Sequence, residues 1–466
     1  MRIRYVVMDL ITSSLAFFLF NGVRYVMMGM AQRYGISFLD FISTPKMILE
    51  QCLIPLAMLG VFWMSGYYNH PFGKSRLQEL SQTIGATLFN TMWIYLALLI
   101  NDQLPTRYFN YELLILLLGL LFSVTYLGRI ILTQASIYNL ENRNWAFNTV
   151  IIGNSPHALA DARRLDKAQT RLGYNIIGFI PIPGESTATS NHKILTRRQL
   201  ETLCRQGNVD NIIIIAEQDS SEKKILSLLY EYFHLGVPIR IRPSALDYVT
   251  SKIRTGDIYA EPFIDISSPS MSDSQINIKR VIDVVLSILA LIVMAPLMFI
   301  LALIVRFTSP GPVIYRQERI GYRQKPFQIL KFRSMREDAE KSGPQLSSDN
   351  DTRITPIGRV MRKYRLDEVP QFWNVLKGEM SLVGPRPERK FYIDKIVGKA
   401  PHYSLLHQVK PGITSWGMVK YGYAGDTDKM IERSYYDLIY LSNMSVIVDF
   451  KILLHTISTV IGGRGV

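Results

Sequence analysis

The sequence predicts a mixed membrane protein with four transmembrane helices, a Rossmann-like α/β domain, and a small α/β domain carried on a re-entrant membrane helix. Three observations predict this fold class: four apolar stretches before residue 135, alternating β-branched and helical patterns at 148–248, and a proline-interrupted apolar stretch at 284–305. We place the domains at 1–139, 140–266 and 279–466, with a linker at 267–278.

Composition supports a membrane component. Of the 466 residues, 48% are hydrophobic and 19% are charged, below the roughly 25% charged residues of a typical soluble domain. The net charge of +14 favours polyanionic partners such as nucleic acid, anionic lipid headgroups or phosphorylated substrates. Cys52 and Cys204 lack CxxC spacing, which indicates neither a disulfide framework nor a metal cluster.

The four apolar stretches lie at 6–27, 52–64, 83–100 and 113–133. Three are long enough to span a bilayer, and the second spans it only if 47–53 joins it. A soluble helical bundle is the alternative, but four such stretches in a row with few charges between them favour the membrane. Lys and Arg flank the spans on the sides that we predict to be cytosolic. The segment 101–111 is predicted to lie on the opposite side of the membrane. These flanking cations are Arg2, Arg4, Lys74, Arg129 and Arg143.

The middle of the chain resembles an open parallel sheet. Short β-branched runs predict strands at 148–153, 174–182, 210–216 and 237–241, with helical patterns between them. The turn after the first strand contains one glycine, Gly153, and then Pro156 and His157, where a dinucleotide fingerprint needs further glycines. We favour a structural or regulatory domain over one that binds NAD, and we expect it to be dispensable for chemistry.

The stretch 284–305 is apolar over a spanning length, and Ser287 and Pro296 interrupt it. Pro296 lacks an amide hydrogen and clashes with the preceding turn, which predicts a sharp kink near 294–297. A kinked span is the alternative. Re-entry is favoured because it keeps the flanking cations at the cytosolic headgroups, namely Lys279, Arg280 and Arg306.

The segment 306–366 is strongly basic, since its 14 Lys and Arg exceed its 6 Asp and Glu by 8. Nucleic acid and a solvated face against anionic lipid are alternatives, but a phosphate-rich small substrate at a membrane fits the position better. Asp367 and Glu368 follow directly, side by side among cations. Adjacent carboxylates usually form a solvated face or a helix start, but beside cations they also serve as nucleophile and Mg²⁺ ligand in phosphoryl transfer.

The C-terminal part resembles the bacterial sugar transferases, the polyprenyl-phosphate phosphoglycosyl transferases, in their long form. The resemblance is strong over 279–466 and rests on a series of blocks in one order. These are Lys279-Arg280, Tyr315-Arg316, KFRSM at 331–335, RITPIG at 353–358, LDEVPQ at 366–371, NVLKGEMS at 374–381, VGPRP at 383–387 and KPGIT at 410–414.

The resemblance implies a small α/β catalytic domain that moves a hexose 1-phosphate from a UDP-sugar, with UDP-glucose favoured, to undecaprenyl phosphate. UMP is released, as the first step of exopolysaccharide or capsule synthesis. Asp367 would form an acyl-phosphate intermediate, and Glu368 would hold Mg²⁺. The predicted substrate contacts are Lys331, Arg333, Arg362, Arg386, Arg316 and Arg319; Lys279 and Arg280 would meet the membrane surface or the lipid phosphate, and Pro296 would bend the helix.

The resemblance also implies a multi-pass protein of the bacterial inner membrane whose catalytic domain faces the cytosol. Its expected partners are the UDP-sugar, undecaprenyl phosphate and the lipid bilayer, without nucleic acid; a homo-oligomer and other polysaccharide assembly enzymes remain open. Ala295 stands where the family often has a serine before the proline. A membrane-anchored nucleotide-sugar dehydratase or epimerase, and a non-catalytic assembly scaffold, are the alternative functions.

Overall fold

The computed structural model describes residues 1–69, 76–99, 107–142, 144–167, 173–188, 193–217, 220, 222–242, 263–266, 269–336, 339, 343 and 351–462. Contacts divide the chain into two compact units. The first consists of Met1–Ala146, Lys167–Gly173 and Ser272–Asn277, and the second of Phe147–Asp166, Tyr174–Met271 and Ile278–Val466. Of the orientation signals, Lys74, Arg143 and most of 101–111 lie outside the described residues. Arg129 lies within the helix Arg107–Glu141 and is fully buried, so the prediction that it flanks a span at the cytosolic surface is wrong.

The first unit is a helical bundle. Its helices are α1 (Arg2–Met27), α2 (Met30–Tyr34), α3 (Phe38–Ile42), α4 (Pro45–Met64), α5 (Arg76–Ile94, continued by a π-helical turn at Tyr95–Leu99) and α6 (Arg107–Glu141). Thr44 caps α4 by accepting a hydrogen bond from the Met47 amide (3.4 Å), and Pro45 occupies the first turn, where its missing amide hydrogen costs nothing. Phe17, Met58 and Leu117 are among the buried residues of the bundle core.

Four described helices are long and apolar enough to cross a membrane: α1, α4, the part of α6 at Tyr111–Leu140, and a helix at Asp273–Thr308. Three of them confirm predicted stretches. The remaining predicted stretch, 83–100, lies in α5 and its π-helical turn, which are not among the four. The stretch is divided between α5 and that turn, and Ile100 lies outside the described residues, so a span at 83–100 stays a prediction.

The second unit contains the predicted α/β sheet. Its strands are β1 (Phe147–Ile152), β2 (Tyr174–Ile180), β3 (Asn211–Ile214), β4 (Ile239–Ile241) and β5 (Ile264–Asp265), in the order β2-β1-β3-β4-β5. All neighbours pair in parallel except β4 and β5. Helices α7 (Pro156–Lys167), α8 (Arg197–Arg205) and α9 (Glu222–Phe233) connect the strands. Gly153 has a φ of 129°, and a Cβ there would lie 2.1 Å from the Ile215 carbonyl oxygen, so only glycine fits.

Helix α10 spans Asp273–Thr308, which is 36 residues, so it begins inside the predicted linker. Pro296 lies within α10 and does not interrupt it. The middle of the helix is exposed, with Ile292, Val293 and Phe299 each about two-thirds accessible. An unbroken apolar helix with an exposed middle suits contact with lipid.

The rest of the second unit surrounds a two-stranded antiparallel hairpin, β6 (Ile314–Ile320) and β7 (Pro326–Phe332). In the part of the chain that the structure describes, six helices follow: α11 (Pro356–Lys363), α12 (Gln371–Lys377), α13 (Lys390–Lys399), α14 (Trp416–Lys420), α15 (Thr427–Ser442) and α16 (Val446–Ile461). A short parallel pair, β8 (Ser381–Val383) and β9 (Gly412–Thr414), lies between them, and a 3₁₀ segment runs over Pro401–Gln408.

Candidate active site

Asp367 and Glu368 lie in a tight 3₁₀ turn between α11 and α12. Arg365, which begins the turn, has a φ of 53°, and this left-handed residue reverses the chain after α11. The two carboxylates are only 6% and 7% exposed. Burial of two adjacent acids is costly unless cations or hydrogen bonds compensate.

Glu368 has that compensation. Its Oε1 lies 2.9 Å from Lys331 Nζ and 3.3 Å from Arg386 Nη2, and its Oε2 lies 3.3 Å from Arg365 Nη1. The Asp367 carboxylate, by contrast, makes no hydrogen bond or ion pair with any described residue. The two neighbouring acids therefore have different surroundings. Glu368 pairs with three cations, whereas the Asp367 carboxylate has no ion-pair partner among the described residues.

Asn374 of α12 fastens this turn to the hairpin. Its Oδ1 accepts a hydrogen bond from the Leu330 amide (3.0 Å), and its Nδ2 donates to the Gln328 carbonyl (2.7 Å). Arg280 of α10 donates to the carbonyls of Val375 and Leu376 at the end of α12, at 2.7 and 2.9 Å. Cations at a helix C-terminus satisfy its free carbonyls. Both contacts fix the helix that follows the acidic pair.

Electrostatics separate the two acids further. Burial is the largest influence on Asp367 and raises the pKa of its carboxyl; Lys331 lowers that pKa, and the charge of Glu368 raises it. Burial alone would also raise the pKa of Glu368, but Lys331, Arg386 and Arg365 outweigh it and hold the pKa well below its usual range. Glu368 is thus a fixed anion, whereas Asp367 is a less acidic carboxyl.

A second ion cluster adjoins the first. Glu388 lies 3.0 Å from Arg319 Nη1 and 2.8 Å from Arg433 Nη2. These arginines, with Arg386, overcome the effect of burial and lower the pKa of Glu388. A small cleft runs beside both clusters and is lined by Arg319, Ile329, Lys331, Glu368, Gln371, Arg386, Pro387 and Gly412. Its lining carries three cations, Arg319, Lys331 and Arg386, and one carboxylate, that of Glu368.

Comparisons with known proteins concern this same part of the chain. A family model described as "Bacterial sugar transferase" matches residues 274–463. The chain is 32% identical, over 322 residues, to the UDP-glucose:undecaprenyl-phosphate glucose-1-phosphate transferase of Escherichia coli, and the match covers 68% of each chain. The chain belongs to the bacterial sugar transferase family.

Two further relatives carry different names. The chain is 43% identical over 188 residues to the UDP-N-acetylgalactosamine-undecaprenyl-phosphate N-acetylgalactosaminephosphotransferase of Aeromonas hydrophila, a match that covers 40% of this chain and less than half, 44%, of that protein. It is 37% identical over 199 residues to an exopolysaccharide production protein of Rhizobium leguminosarum, covering 40% of this chain and 98% of the relative. The predicted family, and with it the expectation of a transferase, is confirmed.

The structure brings five of the predicted family residues together: Asp367, Glu368, Lys331, Arg386 and Arg319. Arg362 is nearby; its Nε donates to Ser334 Oγ (3.0 Å), and its charge lowers the pKa of Asp367. Arg316 is not brought to the cleft. It alternates with Tyr315 and Gln317 along β6 and therefore points to the opposite face of the hairpin from Arg319.

Three of the predicted family residues have protein partners instead of a place in the cleft. Arg333 Nη2 donates to the carbonyl and hydroxyl oxygens of Ser309 at 2.6 and 2.8 Å, just beyond the end of α10. Lys279 Nζ donates to the Val383 carbonyl (3.0 Å) and pairs with Asp449 (2.6 Å). Arg280 caps α12. These contacts anchor both ends of α10, and the predicted roles of the three cations toward substrate or lipid stay predictions.

Sequence reasoning missed Arg365, Asn374, Glu388 and Arg433. The first three have local signals, because Arg365 and Asn374 lie within a few residues of the acidic pair and Glu388 directly follows Pro387. Arg433 lies on α15, 45 residues beyond its partner Glu388, and no sequence pattern marks it.

The described residues contain no group of three or more His, Cys, Asp or Glu side chains that is suited to a metal ion. Two carboxylates are adjacent at Asp367 and Glu368, and Mg²⁺ is commonly held by one or two carboxylates together with substrate phosphates. Three cations already pair with Glu368. The protein side chains therefore fit Mg²⁺ only if phosphate oxygens of the substrate supply the other ligands.

Proposed function

We propose that this protein transfers a hexose 1-phosphate from a UDP-sugar, with UDP-glucose favoured, to undecaprenyl phosphate and releases UMP. The observation that carries the proposal is the unengaged, buried carboxylate of Asp367 beside a cleft whose cations are Lys331, Arg386 and Arg319. The chemistry would be the first step of exopolysaccharide or capsule synthesis.

In the proposed reaction, an Asp367 carboxylate oxygen attacks the sugar-bearing phosphorus of the UDP-sugar. A new P–O bond forms to Asp367, and the bond between that phosphorus and the bridging oxygen breaks, so UMP leaves with the electron pair. A phosphate oxygen of undecaprenyl phosphate then attacks the same phosphorus and releases Asp367. Splitting one transfer into two displacements is the usual advantage of a covalent intermediate.

The cleft cations suit the negative charge of this substrate. Phosphate oxygens would compete with Glu368 for Lys331 and Arg386, and guanidinium groups bind such oxygens in pairs. Glu368 holds these cations in place before the substrate arrives. A preorganised set of donors avoids reorganisation during the reaction.

We also propose that Mg²⁺ binds together with the UDP-sugar, held by Asp367 or Glu368 and the diphosphate. When bound, the ion would neutralise charge on the diphosphate. Titration calorimetry tests this with a readout other than activity: Mg²⁺ alone should give no saturable heat, whereas Mg²⁺ added with UDP should. Saturable binding of Mg²⁺ to the free protein would contradict the proposal.

We propose a re-entrant α10 that leaves the active site on the cytosolic face of the bacterial inner membrane. The support is that one small domain contacts both ends of the apolar part of α10. Asp283, near its start, accepts hydrogen bonds from Ser381 Oγ (2.7 Å) and the Leu382 amide (3.1 Å). Val305, near its end, packs with Phe332 and Met361 of the same domain. A helix that crossed the bilayer would separate these ends by about the hydrocarbon thickness of 30 Å.

Membranes that contain the protein, incubated with undecaprenyl phosphate and a panel of radiolabelled UDP-sugars, test the proposed function. Label should enter the lipid fraction from UDP-glucose, with stoichiometric UMP, and not in membranes carrying Asp367→Asn. Labelling from UDP-N-acetylgalactosamine alone would correct the sugar. The absence of transfer from every UDP-sugar by folded protein would overturn the proposed reaction.

A further inference from the structure

The tip of the β6–β7 hairpin has a strained backbone. Arg323 and Gln324 are the two central residues of the turn, and their φ angles are 52° and 57°. The Lys325 amide donates to the Tyr322 carbonyl across the turn (3.2 Å). Two positive φ angles are the geometry of a type I′ turn, which favours Asn and Gly and is unfavourable for longer side chains. Such strain persists where contacts outside the turn compensate for it.

The end of α9, in the α/β sheet region, supplies those contacts. Arg323 Nη1 donates to the carbonyl of Gly236, in the turn after α9, and Gln324 Nε2 donates to the Tyr230 carbonyl (3.3 Å). The Tyr230 hydroxyl donates to Asp394 Oδ1 of α13 (3.3 Å). Leu405, in the 3₁₀ segment, packs against the core of the sheet region. Thus α9 and its following turn contact three separate elements of the C-terminal domain.

The docked hairpin carries cations of the active site. Among the described residues, β6 and β7 pair only with each other, and a two-stranded hairpin is marginally stable without further packing. Asn374 fixes it near Leu330, at the end that bears Lys331. Arg319 lies four residues from Arg323, near the other end. The Ile320 amide at that end donates to the Glu388 carbonyl (3.0 Å), and Asn374 also reaches Gln328, so the tip contacts add to these in holding the part of the hairpin that carries Arg319.

We infer that the α/β sheet region is a positioning part of the active site: by docking the hairpin tip on α9, it holds Arg319 where the diphosphate of the donor binds. Arg323 and Gln324 are the positioning residues. This inference rests on the proposed function, and it argues against the expectation that the sheet region is dispensable for the chemistry.

The test uses the full-length protein with the double substitution Arg323→Asn and Gln324→Gly. This pair favours the type I′ turn, so the hairpin is retained while both side-chain contacts with α9 and its following turn are lost. We expect KM for the UDP-sugar to rise about tenfold, because small displacements of positioning groups have large kinetic effects, with KM for undecaprenyl phosphate unchanged. The single variant Arg323→Lys keeps a side-chain donor for the Gly236 carbonyl and leaves Gln324 in place. Its KM for the UDP-sugar should therefore stay close to the wild-type value.

Lys325→Gln is the matched control, since it removes one positive charge from the same tip at an exposed residue. An unchanged KM for the UDP-sugar in the double variant would overturn the positioning role while the proposed function stood. An equal rise in KM for the UDP-sugar in Lys325→Gln would also overturn it, because loss of one positive charge at the tip would then be enough to explain the effect. If wild-type protein transferred no sugar phosphate, the proposed function would fail. The positioning role would then be tested by calorimetric measurement of UDP binding. Equal affinities for UDP in wild type and the double variant would contradict the positioning role.

Discussion

At the scale of single residues, Asp367 and Glu368 are neighbours with the same functional group and different surroundings. Glu368 is bonded to Lys331, Arg386 and Arg365, and its pKa is lowered. Asp367 has no such partner among the described residues, and burial raises its pKa. The proposed nucleophile is therefore the more basic and less engaged of the two, as a nucleophile should be.

We predict that Asp367→Asn reduces UMP release by about a thousandfold or more, because an amide cannot form the acyl phosphate. Glu368→Gln should reduce it by about ten- to a hundredfold, since Lys331, Arg386 and Arg365 then lose the anion that holds them together. Asp428→Asn, at an exposed surface pair with Lys399, is the control and should leave the rate unchanged. Near wild-type UMP release by folded Asp367→Asn protein would exclude the covalent mechanism.

A second prediction concerns pH. Asp367 must be ionised to attack, so kcat/KM should rise as pH passes through its raised pKa. Lys331 lowers that pKa; in Lys331→Met the pKa of Asp367 rises further, and the acid limb of the profile should move to higher pH. Lys399→Met, at an exposed lysine, should leave the limb in place. The pH dependence of kcat/KM is measured for both variants. If the acid limb of the profile does not move in Lys331→Met, a group other than Asp367 is responsible for it.

At the scale of elements, α10 is held by charged and polar contacts at its start and by apolar packing at its end. Lys279, Arg280 and Asp283 bind main-chain and side-chain groups of the C-terminal domain. Leu301 and Val305 belong to the cluster that includes Phe332. The 22 residue-to-residue steps from Asp283 to Val305 would extend about 33 Å as a straight helix, close to the thickness of the hydrocarbon core. Attachment of both ends to one domain favours re-entry.

Cysteine labelling distinguishes re-entry from a span. Ser272→Cys and Thr308→Cys, both at exposed residues near the ends of α10, are made separately in protein that also carries Cys52→Ser and Cys204→Ser. A membrane-impermeant thiol reagent should label both from the cytosolic side of inverted vesicles and neither from outside intact cells. Permeabilised cells are the positive control for reactivity. Labelling of Thr308→Cys from outside, with Ser272→Cys protected, would establish a span.

At the scale of the whole molecule, the two compact units have different kinds of core. The first unit contains a fully buried ion pair: Arg129 donates to both carboxylate oxygens of Asp9 at 2.8 Å, and Tyr68 donates to the same carboxylate (2.7 Å). Arg129 also lies over the ring of Phe62, 4.3 Å from its centroid. Ionisable groups inside a membrane bundle are costly and are retained in pairs. The second unit keeps the ion clusters described above beside its cleft.

We predict that Arg129→Met destabilises the bundle by about 3–5 kcal/mol, because it leaves the Asp9 charge buried without its cation. The combined change Asp9→Asn and Arg129→Met removes both charges and should recover part of that loss. Thermal unfolding of the purified proteins in detergent gives the order of stabilities, and UDP binding reports on the second unit. A double variant no more stable than Arg129→Met would mean that the ion pair is not the source of the effect.

Local sequence patterns were enough to locate most helices and strands of this protein. Apolar length identified α1, α4, α6 and α10, and short β-branched runs located β1 to β4, because these signals depend on neighbouring residues only. The acidic pair was visible for the same reason, since its members are adjacent.

The cations that contact the acidic pair became known from the packing of separate elements. Arg316 and Arg319 are three residues apart, yet strand alternation sends them to opposite faces of the hairpin. Arg333 is two residues beyond Lys331 and anchors α10 instead of facing Glu368. Arg433 reaches Glu388 from a helix 45 residues away. A cationic site depends on distances between side chains from separate elements, and those distances are set by how the elements pack, which residue type and spacing do not encode.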